Sequence, residues 1–228
     1  MHKYLFIKSY SNPTMIQIYF VRHGETDWNH LGKHQGFSDI PLNEKGMAQA
    51  VDVGDALRDV HFDRAIVSDL VRARVTSEEI LKGRYIPTTF TEGLREINFG
   101  DWESLTYSEI NERWPGQIEA IYEDPSEKPI PNGETVEMVQ ERAYTRLLEE
   151  LARMEDGERL LVVCHGGTIR TLLCALTGIP LNCLWRLAQG NTAVSVVDFW
   201  GDQSPYNRIC ILNDTSHTHV REGGYGED

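Results

Sequence analysis

Two short motifs place a histidine at the end of an apolar run. In one, Arg22 and His23 follow MIQIYFV (15–21); in the other, His165 follows RLLVVC (159–164). An imidazole with an ordinary pKa of about 6.5 is largely neutral at pH 7 and can serve as nucleophile or base. Gly24 after His23, and Gly166 and Gly167 after His165, let the backbone turn and come close to a ligand. Arg72 lies four residues beyond Ser68, early in a helical pattern, and can lean back toward the end of a third apolar run, FDRAIVS (62–68). Two imidazoles and two guanidiniums around one mouth suit a tetrahedral dianion, because charge-assisted hydrogen bonds to phosphate oxygens are strong and directional. No grouping of Asp, His or Cys has metal-site spacing, so a site with neither metal nor cofactor is expected.

The elements that must position these groups follow from pattern. Residues 15–21 and 62–68 read as buried strands and 159–165 as the most apolar strand. Helical spacing covers 42–58, with Asn43 or a neighbour at its start, then 70–81, a long stretch from 134 to 154 closed by Asp156-Gly157, and the segment after His165 through Leu176. A short strand fits 88–91, and 194–200 with 208–213 read as two edge strands. Residues 93–133 break the rhythm with Trp102, Trp114 and several prolines, and are expected to form a lid-like insertion. The expected fold is α/β, a mostly parallel central sheet with helices on both faces. Ligands of such sheets bind beyond the carboxyl ends of the strands, where RHGET, Ser68-Asp69 and HGG all fall.

A single domain over 15–213 is expected, with an extension over 1–14 and a tail over 214–228. The net charge of −13 over 228 residues argues against nucleic acid or an anionic membrane surface as partner. It leaves room for a small phosphorylated substrate, since a few converging arginines make a local positive site. The four cysteines read as buried small hydrophobes in a reducing, cytoplasmic compartment, and the N-terminal residues resemble neither a signal peptide nor a membrane span. A homodimer is compatible with the sequence and not required by it.

VRHGETDWN (21–29), SDLVRARVTS (68–77), LREINFGDWE (94–103), PNGETVEM (131–138) and VVCHGGTIR (162–170) together resemble the successive signatures of the histidine phosphatase superfamily, which includes the cofactor-dependent phosphoglycerate mutases. The resemblance implies that His23 attacks phosphorus, that Arg22, Arg72 and His165 bind the phosphoryl oxygens with help from Asn29, and that Glu96 protonates the leaving alcohol and later activates water. Gly166 adds a backbone N–H, and Gln35 and Gly36 line the same pocket. The text HQGFSDIPLNEKG (34–46) is similar to that of the bacterial broad-specificity and α-ribazole phosphatases. A short stretch between Glu96 and His165, and Gln35 where mutases have a small hydroxyl residue, favour a phosphatase over a mutase, and the presence of every expected catalytic residue disfavours an inactive phospho-ligand binding module.

Blander roles stand beside these. Glu96 could pair with Arg95 or Arg58 at the surface. His30, His34, His61, His217 and His219 read as surface or structural residues, and the glutamates of 134–158 as an exposed helix face. Trp102, Trp114 and Tyr122 line a wall for the leaving group or merely anchor the insertion.

Overall fold

The computed structural model describes residues 15–125 and 130–218. The extension expected over 1–14, and His219 with the rest of the tail, lie outside the described residues. Along the chain run β1 (Ile16–Arg22), α1 (Asp27–His30), α2 (Glu44–Ala56), β2 (Arg64–Ser68), α3 (Val71–Ile80), β3 (Thr88–Thr91), α4 (Tyr107–Arg113), α5 (Gln117–Glu123), α6 (Val136–Leu151), β4 (Arg159–Cys164), α7 (Gly166–Thr177), β5 (Val194–Phe199) and β6 (Arg208–Asp214).

The sheet has six strands in the order β3-β2-β4-β1-β5-β6. β3, β2, β4 and β1 pair in parallel, and β5 and β6 join antiparallel. Alternation within the strands supplies two cores. Ile16, Ile18, Phe20, Leu160 and Val162 pack with the apolar stripes of α6 and α7. Val21, Val67, Leu161 and Val163 pack with Val53 of α2 and Ala73 and Ile80 of α3 on the opposite face. The expected mostly parallel sheet with helices on both faces is therefore what the chain forms. As expected, Asn43 caps α2, its side chain accepting from the Gly46 N–H at 2.8 Å.

Four expectations need correcting. β5 is not an edge strand: it is buried along its whole length because β1 and β6 pair on either side of it, and only β6 is the edge. The two polar residues of β5 are buried with partners, Ser195 Oγ accepting from Gln189 at 2.9 Å and Asp198 from Arg208 at 2.9 Å. The long helix stops at Leu151, and Gly157 (φ 82°) instead shapes the turn that leads into β4, its N–H reaching the Met15 carbonyl at 3.0 Å. Of the cysteines, Cys164 and Cys174 are buried, Cys183 is partly so and Cys210 is exposed. Glu150 does not share the exposed helix face. Its carboxylate is fully buried and receives Arg64 at 2.7 Å and Arg146 at 3.0 Å. Burial would push that carboxyl up, but the two arginines outweigh it and hold it below the ordinary carboxylate range. No helix among the described residues is long and apolar enough to cross a membrane.

Replacing Glu150 with Ala strands two half-buried guanidiniums and should lower unfolding stability by about 2–3 kcal/mol. Urea unfolding measures this, and an unchanged midpoint would show that the pair does no net structural work.

Candidate functional site

The carboxyl ends of β1, β2 and β4 deliver His23, Ser68 and His165 to one point. The His23 N–H bonds the Cys164 carbonyl at 3.0 Å, tying two strand ends together. The His23 and His165 rings lie 5.2 Å apart, centroid to centroid, and both residues are buried. His23 Nδ1 is 2.7 Å from the Gly24 carbonyl oxygen. A carbonyl only accepts, so Nδ1 carries the ring proton and Nε2 keeps its lone pair. Gly24 has to lack a side chain, since a Cβ there would lie 2.4 Å from the Gly46 carbonyl at the start of α2.

His165 caps the N-terminus of α7, and its Nε2 stands 2.8 Å from Ser68 Oγ. Ser68 Oγ accepts the Leu70 N–H at 3.4 Å, and in the tautomer in which it donates its own proton to His165 Nε2 the ring proton lies on Nδ1. That Nδ1 is buried without a partner. So are Arg22 Nε and Arg72 Nε. Arg22 NH1 donates to the Gln189 carbonyl at 2.6 Å, and the two terminal nitrogens of Arg72 donate to the Ser38 and Gly36 carbonyls, each at 2.8 Å. Burial lowers the Arg72 pKa to about 10, which still leaves it charged at neutral pH. Buried donors with nothing to bond are costly, and Arg22 Nε, Arg72 Nε and His165 Nδ1 beside the His23 lone pair have the chemistry to bind an anion.

Glu96 completes the floor. Its carboxylate accepts from the backbone N–H groups of Ile97 at 3.0 Å and of Gly167 and Thr168, both at 3.1 Å, across the start of α7. A Cβ on Gly167 would meet this carboxylate at 2.6 Å. Glu96 does not pair with Arg95 or Arg58, which are engaged with Asp69 and Asp55. Arg142 of α6 holds the Glu96 segment from behind by donating to the carbonyls of Gly93, Arg95 and Glu96.

Above this floor opens a cavity of about 420 Å³. Arg22, His23, Asn29, Gln35, Arg72, Glu96 and Gly166 all line it, whereas Gly36 and His165 do not: the Gly36 carbonyl holds Arg72, and His165 is fully buried beside the His23 ring. Asn29 is fixed by a capping box with Thr26, and Gln35 accepts from Thr26 Oγ1 at 3.0 Å. The outer wall is apolar: Phe99, Trp102, Ile118, Ile121, Tyr122 and Trp185. Tyr122 meets Trp185 edge-on at 4.8 Å, while Trp114 only packs against the core.

His30 and His34, read from sequence as surface or structural residues, both line the cavity. Asn191 was missed altogether, and it donates to the His23 carbonyl at 3.0 Å. Glu103 holds the loop carrying Gly36 and Ser38 through the N–H groups of Phe37 at 2.7 Å and Ser38 at 2.9 Å. A lone Asn in a loop carries no periodic signal. Among the described residues no group of three or more His, Cys, Asp or Glu gathers that could hold a metal.

An α/β sheet that brings two neutral histidines and two arginines, Arg72 buried and Arg22 partly so, to its carboxyl end defines a phosphate-handling class of protein. The model of the histidine phosphatase superfamily, branch 1, matches residues 18–211, and the chain belongs to that superfamily. A probable phosphoglycerate mutase GpmB of Salmonella arizonae is 34% identical over 189 residues, which is 83% of this chain and 87% of that one. The structure of Bacillus stearothermophilus YhfR is 34% identical with a TM-score of 0.80, covering 89% of this chain and 98% of its own. The α-ribazole phosphatase of Shigella flexneri is 27% identical with a TM-score of 0.76, covering 87% and 96%.

Burial, followed by Arg72 and Arg22, holds the His23 imidazole well below 6.5, and burial, Arg72, His23 and Arg22 do the same to His165. An unfolded chain takes up these protons as pH drops below about 6.5 and the folded chain does not, so the empty protein loses stability in that direction. Long-range ¹H–¹⁵N spectra should show both rings as neutral Nδ1–H tautomers with no titration between pH 6 and 8. An imidazolium signal from either ring within that window would refute the assignment.

Proposed function

We propose that this protein is a phosphomonoester hydrolase that works through a phosphohistidine at His23, acting on small phosphorylated metabolites with α-ribazole phosphate among the candidates. The observation that carries the reading is the lone pair left on His23 Nε2 beside three unpartnered buried donors. Nε2 attacks phosphorus, the ester P–O bond breaks, and Glu96 gives its proton to the departing alkoxide. Arg22 Nε, Arg72 Nε and His165 Nδ1 bind the equatorial oxygens, where charge builds in the transition state. Asn29, Gln35 and the Gly166 N–H border the same volume. A water, giving its proton to Glu96, then attacks the phosphohistidine and releases phosphate. Positive charge comes from the arginines and the start of α7, and no step uses a metal.

A second reading is a mutase that returns the phosphoryl group to another hydroxyl of a small acid. The name borne by the Salmonella relatives and the presence of Lys33 at the cavity favour it. Against it stands the largely apolar wall. Arg170, the other outer cation, bonds Leu187 through Nε at 2.7 Å and lies over the Trp185 ring.

Phosphate release from p-nitrophenyl phosphate, 3-phosphoglycerate and α-ribazole phosphate in EDTA, run beside an assay for conversion of 3- to 2-phosphoglycerate with the bisphosphate primer, separates the two. Release without isomerisation is expected; dominant isomerisation would establish the mutase. His23→Ala should reduce p-nitrophenyl phosphate turnover by ~10³-fold or more and abolish acid-labile phosphoenzyme. Glu96→Gln should cost ~10²-fold or more with alkyl phosphates and under ~10-fold with p-nitrophenyl phosphate, whose leaving group needs no proton. Equal losses would move the general acid elsewhere. Glu103 is not that alternative, because it does not line the cavity and its carboxylate holds the 37–38 loop.

A further inference from the structure

The wall around the alcohol half of the substrate is largely apolar, and the His34 ring is set into it. His34 packs edge-on against Phe99 at 4.8 Å and Trp102 at 6.2 Å, and it faces the cavity. Its Nδ1 lies 3.2 Å from the Leu105 carbonyl, which can only accept, so that nitrogen holds the ring proton. Its Nε2 has no partner among the described residues and keeps a lone pair. The ring cannot readily turn away, because the backbone on either side is fastened: the His34 N–H bonds the Leu105 carbonyl at 3.0 Å, and the Ser104 N–H bonds the His34 carbonyl at 2.9 Å. Burial holds the imidazole below its usual pKa against the opposing pull of the Leu105 bond and Glu96, so it stays an uncharged acceptor at neutral pH.

We propose that His34 is a specificity-determining residue whose Nε2 accepts a hydrogen bond from a hydroxyl on the alcohol half of the substrate. The site thereby selects phosphate monoesters of ring-bearing alcohols that carry a further hydroxyl, the chemistry of a phosphorylated riboside. The assignment rests on the phosphohistidine reading of His23. The ring of such an alcohol lies against Ile118, Ile121 and Trp185, in a cavity of about 420 Å³ that is large enough for it. An ester without the hydroxyl leaves the His34 acceptor desolvated and unpaired, and an acceptor preset in an apolar wall discriminates strongly against that.

The test compares ribose 5-phosphate with tetrahydrofurfuryl phosphate, which keeps the five-membered ring and lacks its hydroxyls, using p-nitrophenyl phosphate as a third ester. Wild-type protein should favour ribose 5-phosphate in kcat/KM by ~10-fold or more. His34→Leu, which keeps apolar contact with Phe99 and Trp102, should bring that ratio close to one, and His34→Gln, which keeps an acceptor, should restore part of it. Thermal unfolding followed by circular dichroism checks that both variants fold. A ratio near one in the wild type, or one that His34→Leu leaves unchanged, overturns the role of His34 while leaving p-nitrophenyl phosphate turnover in place. Failure of the wild type on all three esters overturns the His23 chemistry, and the specificity assignment falls with it.

Discussion

Arg72 is a cation taken wholly out of water without a carboxylate bonded to it. Most of the local architecture follows from that constraint, because a buried guanidinium has to be held by dipoles. The carbonyls of Gly36 and Ser38 provide them, and those carbonyls stay in place because Glu103 grips the same loop through its N–H groups. Arg22 is treated alike, its NH1 bound to the Gln189 carbonyl. The protein thus meets the solvation needs of both cations incompletely and in the same sense, leaving one Nε of each unbonded. The two histidines stay neutral partly because these charges lie beside them. Cation placement and nucleophile protonation are one electrostatic arrangement.

Much of this was legible in the residues. Strand-end placement of His23 and His165 followed from apolar runs broken by glycine, and the approach of Arg72 from helical spacing after Ser68. The partner of the His23 ring near Gly24 is a local contact of the kind that sequence neighbours make. What escaped depends on contacts distant in sequence. His34 looked like one more polar loop residue until Phe99, Trp102 and Leu105 enclosed it. Glu150 falls on the inward stripe of α6 with Val136, Val139, Ala143 and Leu147, and its charge alone argued for exposure; Arg64 from another element and Arg146 of its own helix make its burial tolerable. The interior position of β5 could not be told from an edge because pairing on both sides depends on topology, not on composition.

The lid-like stretch was the least readable part for the same reason. α4 and α5 are short, and short helices owe their stability to tertiary packing more than to propensity. Ile118 and Ile121 face inward because the core receives them, and Tyr122 is placed by the Trp185 edge. The phosphate end of the cavity is built on strand ends and a long helix, whereas the alcohol end is built on these dependent pieces. Chemistry and selectivity therefore rest on scaffolds of different rigidity.

The loop before β5 has a consequence for the order in which competence appears during synthesis. Gln189 anchors Arg22, Asn191 anchors the His23 carbonyl, and Gly190 is itself tied to Asn213 at the end of β6 at 2.7 Å. His23 leaves the ribosome with the first strand and these holdfasts with the last two. A nascent chain thus carries His23 and Arg22 long before the groups that hold them in place exist.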